Sequence, residues 1–160
     1  MKKRNNILLV IILVSVFLSL DLLLKYLVST YLTSITIIDN FFSLTYTLND
    51  GAAFSIFASK TYLLIFFSLL CLIFILYELK NNITDRVLSI GYSLVLSGLL
   101  GNFIDRLIDG YVIDYLAFKI FGYNYPIFNL ADTLIVVGII IVLIKEILKE
   151  RGKKYEIRSK

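Results

Sequence analysis

Asn102, Asp105, Arg106, Asp114, Asn129 and Asp132 fall within one stretch, residues 97–132, at the ends of two strongly apolar segments. A charged side chain inside or beside a bilayer is expensive, so each is a functional candidate by default. Pairing that only locks helices together accounts for one or two such residues. It strains to account for all six, because the acids outnumber the local bases and cannot all be neutralised. Two carboxyls brought close in a low-dielectric site cannot both ionise easily, and one is pushed to hold a proton. Such a pair offers a base to activate water and an acid to protonate a carbonyl oxygen or a leaving amine. Asp114 and Asp132 are the candidate pair, one near a loop strand and one near the start of the last apolar segment. The same acids would also serve to bind a cation or relay protons, and spacing alone leaves that reading open. A third reading is a scaffold without catalysis.

The residue inventory narrows the chemistry. The chain contains no histidine, and its one cysteine, Cys71, lies inside an apolar run. Histidine-based triads, His-containing zinc sites and a disulfide are thereby excluded, and neither metal nor cofactor is expected. Hydrophobic residues make up 59% of 160, and they come in long runs, the mark of a membrane protein. The net charge of +4 sits mostly at the chain ends, which points to anionic lipid head groups rather than nucleic acid.

Four membrane spans are expected to position these residues, at about 7–29, 61–79, 87–107 and 127–146, followed by a basic, solvated tail over 147–160. The first apolar run continues past Asp21 without a small-x-small cleavage site, so it reads as an uncleaved helix. Asp21 and Lys25 lie four residues apart on one face of it and can pair. Phe42-Ser43-Leu44-Thr45-Tyr46-Thr47-Leu48-Asn49 alternates apolar and polar, the period of a strand with one buried face. Asn49-Asp50-Gly51 follows as a turn, and Ala52-Ala53-Phe54-Ser55-Ile56-Phe57 resumes an apolar stretch. In the third span Gly98, Asn102, Asp105 and Asp109 recur at helical steps, with Arg106 beside them. Arg106 is placed to hold Asp105 and nearby carbonyls. Residues 115–121 read as a short amphipathic helix on the membrane surface, and Pro126 as the first-turn residue of the fourth span. Lys and Arg flank one side of these spans far more than the other, so both termini are expected in the cytoplasm and the acids at the outer face.

Four blocks resemble the ordered signatures of the signal peptidase II family, the lipoprotein signal peptidases. They are Asn49-Asp50-Gly51-Ala52-Ala53-Phe54, Gly101-Asn102-Phe103-Ile104-Asp105-Arg106, Val112-Ile113-Asp114-Tyr115 and Phe128-Asn129-Leu130-Ala131-Asp132. The Asp21/Lys25 pair and the four-span layout are similar as well. The resemblance implies an α-helical polytopic membrane fold with four transmembrane helices, a small extracytoplasmic β-sheet and a short surface helix, forming one domain. It implies a membrane aspartic endopeptidase in the bacterial cytoplasmic membrane. That enzyme would remove the signal peptide from diacylglyceryl-modified prolipoproteins, cutting just before the lipidated cysteine. Asp114 and Asp132 would be the catalytic pair. Asn49, Gly51, Gly98, Asn102, Asp105, Arg106, Asn129 and Ala131 would line or brace the site, and Asp21 and Lys25 would support it. Lipidated precursors and membrane lipids are the expected partners, and a monomer the expected state. Leu22-Leu23-Leu24, Asp50 and Asp109 depart from the family pattern.

Overall fold

Apolar runs too long for a soluble core become helices whose backbone groups satisfy one another, the arrangement a bilayer demands. The structure, a computed structural model, describes residues 2–51 and 60–158. Four long helices form: α1 (Lys2–Tyr31), α2 (Thr61–Asn82), α3 (Arg86–Ile108) and α4 (Leu130–Arg158). Between them run β1 (Ser34–Ile38), β2 (Phe42–Asn49), β3 (Val112–Ile120) and β4 (Tyr123–Asn124), an antiparallel sheet in the order β1-β2-β3-β4. The expected apolar stretch 52–57 lies outside the described residues.

Helix α3 is the centre of the bundle, and α1, α2 and α4 all pack on it. Its composition explains why. Ser89, Ser93 and Ser97 are small and fully buried, and each hydroxyl donates back to the carbonyl four residues earlier, at 2.8, 2.6 and 2.7 Å. None of these three hydroxyls is left unpaired, and the helices approach closely. Asp85 caps α3 by accepting from the Val87 and Leu88 amides, and its other oxygen meets Lys145 at 3.2 Å. Helix α1, by contrast, turns large apolar side chains such as Leu8, Ile11 and Val16 outward.

At the end of α3 near the acids, Gly98 lets α4 cross almost in backbone contact. A Cβ there would collide with the Ala131 carbonyl oxygen and come within 2.8 Å of Ile135. Gly98→Ala is therefore expected to push the first turn of α4 outward, costing about 1–3 kcal/mol. A lower denaturation midpoint in detergent, with a loss of activity, checks this; unchanged values would mean the crossing is loose.

Helices α1, α2 and α3 are long and apolar enough to cross a membrane. Helix α4 carries Asp132 in its first turn, and its uncharged run ends at Lys145-Glu146. That run, 133–144, is only about 18 Å long. Two expectations are corrected here. Residues 115–121 form no surface helix; they belong to β3 and the turn after it. The segment is rich in aromatic and branched residues, so pairing with β2 satisfies its backbone better than an isolated helical turn. Phe42 and Phe118 stack at 4.7 Å across that pairing. Phe121 and Gly122, both at positive φ, make the tight hairpin into β4. Pro126 does not open α4 either. The chain stays extended through Phe128, which bridges Leu116, and the helix begins at Leu130. Helix α4 runs on through Arg158, into the stretch expected as a solvated tail, and residues 147–152 are exposed.

Candidate active site

Asp114 is the third residue of β3, opposite Thr47 of β2, and is 2% exposed. Asn49, at the end of β2, turns its amide so that Oδ1 accepts from the Gly51 amide at 3.0 Å and Nδ2 donates to Asp114 Oδ2 at 2.8 Å. That Asx turn is the reason for the Asn-x-Gly spacing. Asp132 lies in the first turn of α4, where Asn129 and Asp132 cap the helix reciprocally. The Asp132 amide donates to Asn129 Oδ1 at 2.9 Å, and the Asn129 amide donates to Asp132 Oδ2 at 3.2 Å.

Asn129 also joins the two acids. Its Nδ2 donates to Asp114 Oδ1 at 2.8 Å and to Asn102 Oδ1 at 3.0 Å, while Asn102 Nδ2 donates to Asp132 Oδ1 at 2.8 Å. Both carboxyls line one cavity of 270 Å³ with Asn49, Asn102, Arg106 and Val112. Burial pushes the Asp114 carboxyl up to about 6, and the charge of Asp132 adds to this. Donors from Asn49 and Asn129, and the Lys25 charge, offset only part of it.

Behind the acids lies a buried ionic hub. Lys25 Nζ donates to Asn102 Oδ1 at 3.0 Å and forms ion pairs with Asp21 Oδ2 at 2.8 Å and Asp105 Oδ2 at 2.9 Å. Asp21 Oδ1 accepts the Ala131 amide at 2.9 Å, which ties α1 to the first turn of α4. Gly98, Asn102, Asp105, Asn129 and Ala131 are all buried here.

Arg106 meets part of its expectation, holding backbone carbonyls: Nη1 donates to the Asn102 carbonyl at 3.4 Å. It does not hold Asp105, which belongs to Lys25 and accepts the Ile113 amide at 3.3 Å. Its guanidinium reaches across the cavity, and Nη2 donates to the Gly51 carbonyl at 2.8 Å. The link pins the end of β2 over the cavity, while Nε stays buried without a partner among the described residues. Asp109 caps α3 at an exposed position and takes no part. Sequence reasoning missed Tyr115, whose hydroxyl accepts the Leu130 amide at 3.2 Å and anchors the start of α4. Burial pushes that phenol up to about 12, which keeps it neutral. Its place beside Asp114 in the strand was the available signal.

Two bridged carboxyls of unequal environment, facing a cavity and backed by a buried cation, can split water between base and acid roles. Residues 12–148 match the family model described as signal peptidase (SPase) II. The chain belongs to the signal peptidase II family. A lipoprotein signal peptidase of Francisella tularensis subsp. novicida (strain U112) is 40% identical over 140 residues, which cover 82% of this chain and 87% of that protein. Two solved structures described as a bacterial membrane enzyme, obtained by the in meso method, are each 32% identical. One covers 91% of this chain and 90% of its own, with a TM-score of 0.82; the other covers 85% and 90%, with a TM-score of 0.77. Signal peptidase II is an aspartic membrane peptidase.

Proposed function

We propose that Asp114 and Asp132 are the catalytic pair of an endopeptidase that releases the signal peptide of prolipoproteins, cutting just before a cysteine that already carries diacylglycerol. The observation that carries this is Asn129, which holds one oxygen of each carboxyl at the wall of a shared cavity. In this reading Asp114 carries the pair's proton and Asp132 takes one from water. The water oxygen adds to the scissile carbonyl carbon while the Asp114 proton passes to the carbonyl oxygen. The tetrahedral intermediate then collapses as the leaving nitrogen accepts a proton and the C–N bond breaks. Asn49, Gly51, Asn102 and Arg106 would line the substrate's path, and Gly98, Asp105, Asn129 and Ala131, with Asp21 and Lys25, would hold the pair in place.

The whole chain, 1–160, acts as one domain and as a monomer. Helix α4 is read as a fourth span because it packs along α3, a spanning helix, and its charges sit beyond the ends of its apolar run. With both termini in the bacterial cytoplasm, the pair lies near the outer face of the cytoplasmic membrane. There, acyl chains stay in lipid while the peptide meets water and both acids, so the lipid sets depth and register. A lipidated precursor incubated with the purified protein in liposomes should shorten by its signal peptide, and one with an unmodified cysteine should be cut poorly. Equal cleavage of both would sink the register argument.

The pH dependence follows from Asp114. With the carboxyl at about 6 in the folded protein, cleavage is expected to fall as pH rises through that value and the pair loses its proton. Stability should move the same way. The folded state holds this proton more tightly than an unfolded aspartate with a pKa of about 3.9. Its contribution is complete below that value and is lost as pH rises toward about 6, a change of about 3 kcal/mol. Denaturation of the wild type and Asp114→Asn between those pH values isolates this slope. Equal slopes would mean that Asp114 ionises as it does in water.

A further inference from the structure

We infer that the long groove between α2 and α4 seats the apolar core of the signal peptide, and that Glu78 at its far end binds the basic residues preceding that core. This rests on the proposed peptidase reading and names the part of the substrate it had left unplaced.

Helices α2 and α4 both pack on α3 and leave a groove of 730 Å³ between them, with Val95 and Leu99 as floor and Phe74, Ile75, Ile139 and Val142 among its walls. Ile135 lines both this groove and the 270 Å³ cavity of the two acids, so one runs on from the other. At the opposite end the lining turns polar. Glu78 Oε2 accepts from Asn82 Nδ2 at 3.2 Å and from the Tyr92 hydroxyl at 3.4 Å. Among the described residues no lysine or arginine pairs with Glu78. Glu146, which lines the same end of the groove, is already matched by Lys149 at 3.2 Å. A half-buried carboxylate held by neutral donors, at the basic end of the molecule, lacks the cation that Glu146 has.

A signal peptide has the complementary layout: basic residues, an apolar core of about 7–15 residues, then the cleavage site. As a helix that core is about 11–22 Å long. From Ile135, where groove and cavity meet, to Glu146 at the polar end, α4 rises about 17 Å. A peptide with its scissile bond at the acids and its core in the groove therefore brings its basic residues to Glu78. Opposite charges at a half-exposed site are expected to contribute about fivefold in affinity.

The test uses the full chain in liposomes and two lipidated precursors, one with its basic N-terminal residues and one with those residues changed to Gln. Glu78→Gln keeps the bonds to Asn82 and Tyr92 but removes the charge, and Glu78→Lys reverses it. The wild type should favour the basic precursor about fivefold in kcat/KM, through KM, with kcat unchanged. Glu78→Gln should cut both precursors alike, and Glu78→Lys should favour the neutral one. A preference that survives in Glu78→Gln overturns the inference. So does an equal loss on both precursors, which would mark Glu78 as structural or the groove as a lipid site. Cleavage of neither precursor by the wild type would bring down the peptidase reading itself, and this inference with it.

Discussion

Asp114→Asn and Asp132→Asn are each expected to lower precursor cleavage by about 10⁴-fold, with the double change adding little. Both replacements are nearly isosteric, but an amide neither takes a proton from water nor supplies one at neutral pH. Groups that act as one unit are not additive, because losing either already ends the acid–base step. The bridge through Asn129 is the structural ground for treating the two as a unit. Asp39→Asn and Asp109→Asn are the controls. Asp39 is exposed in the turn between β1 and β2, and Asp109 is exposed at the end of α3, so both variants should stay within a few-fold of the wild type. The measurement is the mobility shift of a lipidated precursor, beside the denaturation midpoint of each variant. Full cleavage by either single variant would refute the aspartic mechanism.

Much of this site was legible because its signals are local. The Asx turn at Asn49-Asp50-Gly51 and the i,i+3 pair Asn129/Asp132 each involve neighbours in sequence, and the structure uses them at those spacings. The alternation over Phe42–Asn49 announced a strand for the same reason. What misled depends on partners far along the chain. Residues 115–121 can be written as an amphipathic helix or a strand, and only the edge of β2, about seventy residues earlier, decides between them. Pro126 looked like a helix opener because that position tolerates proline. The Leu116–Phe128 bridge instead keeps the chain extended until Asn129 can cap α4. Arg106 and Asp105 are adjacent and of opposite charge, yet successive helix residues point apart. Each finds its partner elsewhere, Arg106 at Gly51 and Asp105 at Lys25.

Lys25→Met is expected to be the most destabilising single substitution, costing about 3–5 kcal/mol. Lys25 is 2% exposed and Asp21 fully buried, and the ammonium is the cation that both Asp21 and Asp105 contact. Methionine fills the aliphatic stem but leaves two carboxylates facing each other out of reach of water. Their mutual repulsion and unmet solvation make the cost, and it exceeds what deleting the whole cluster would cost. The damage should also reach the catalytic pair, because Asn102 loses one of the two donors on its Oδ1 and keeps only Asn129, while its Nδ2 holds Asp132. Adding Asp21→Asn to Lys25→Met removes one stranded charge and should recover part of the stability, although the oxygen that accepts the Ala131 amide must then be the one an Asn keeps. Denaturation midpoints in one detergent for the wild type, both single variants and the double variant separate the terms as a double-mutant cycle. If Lys25→Met unfolds at the wild-type midpoint, water reaches the two acids and the hub does not hold α1 to α3 and α4. If the double variant is no better than the single, the cost lies in the lost packing of the lysine stem rather than in stranded charge.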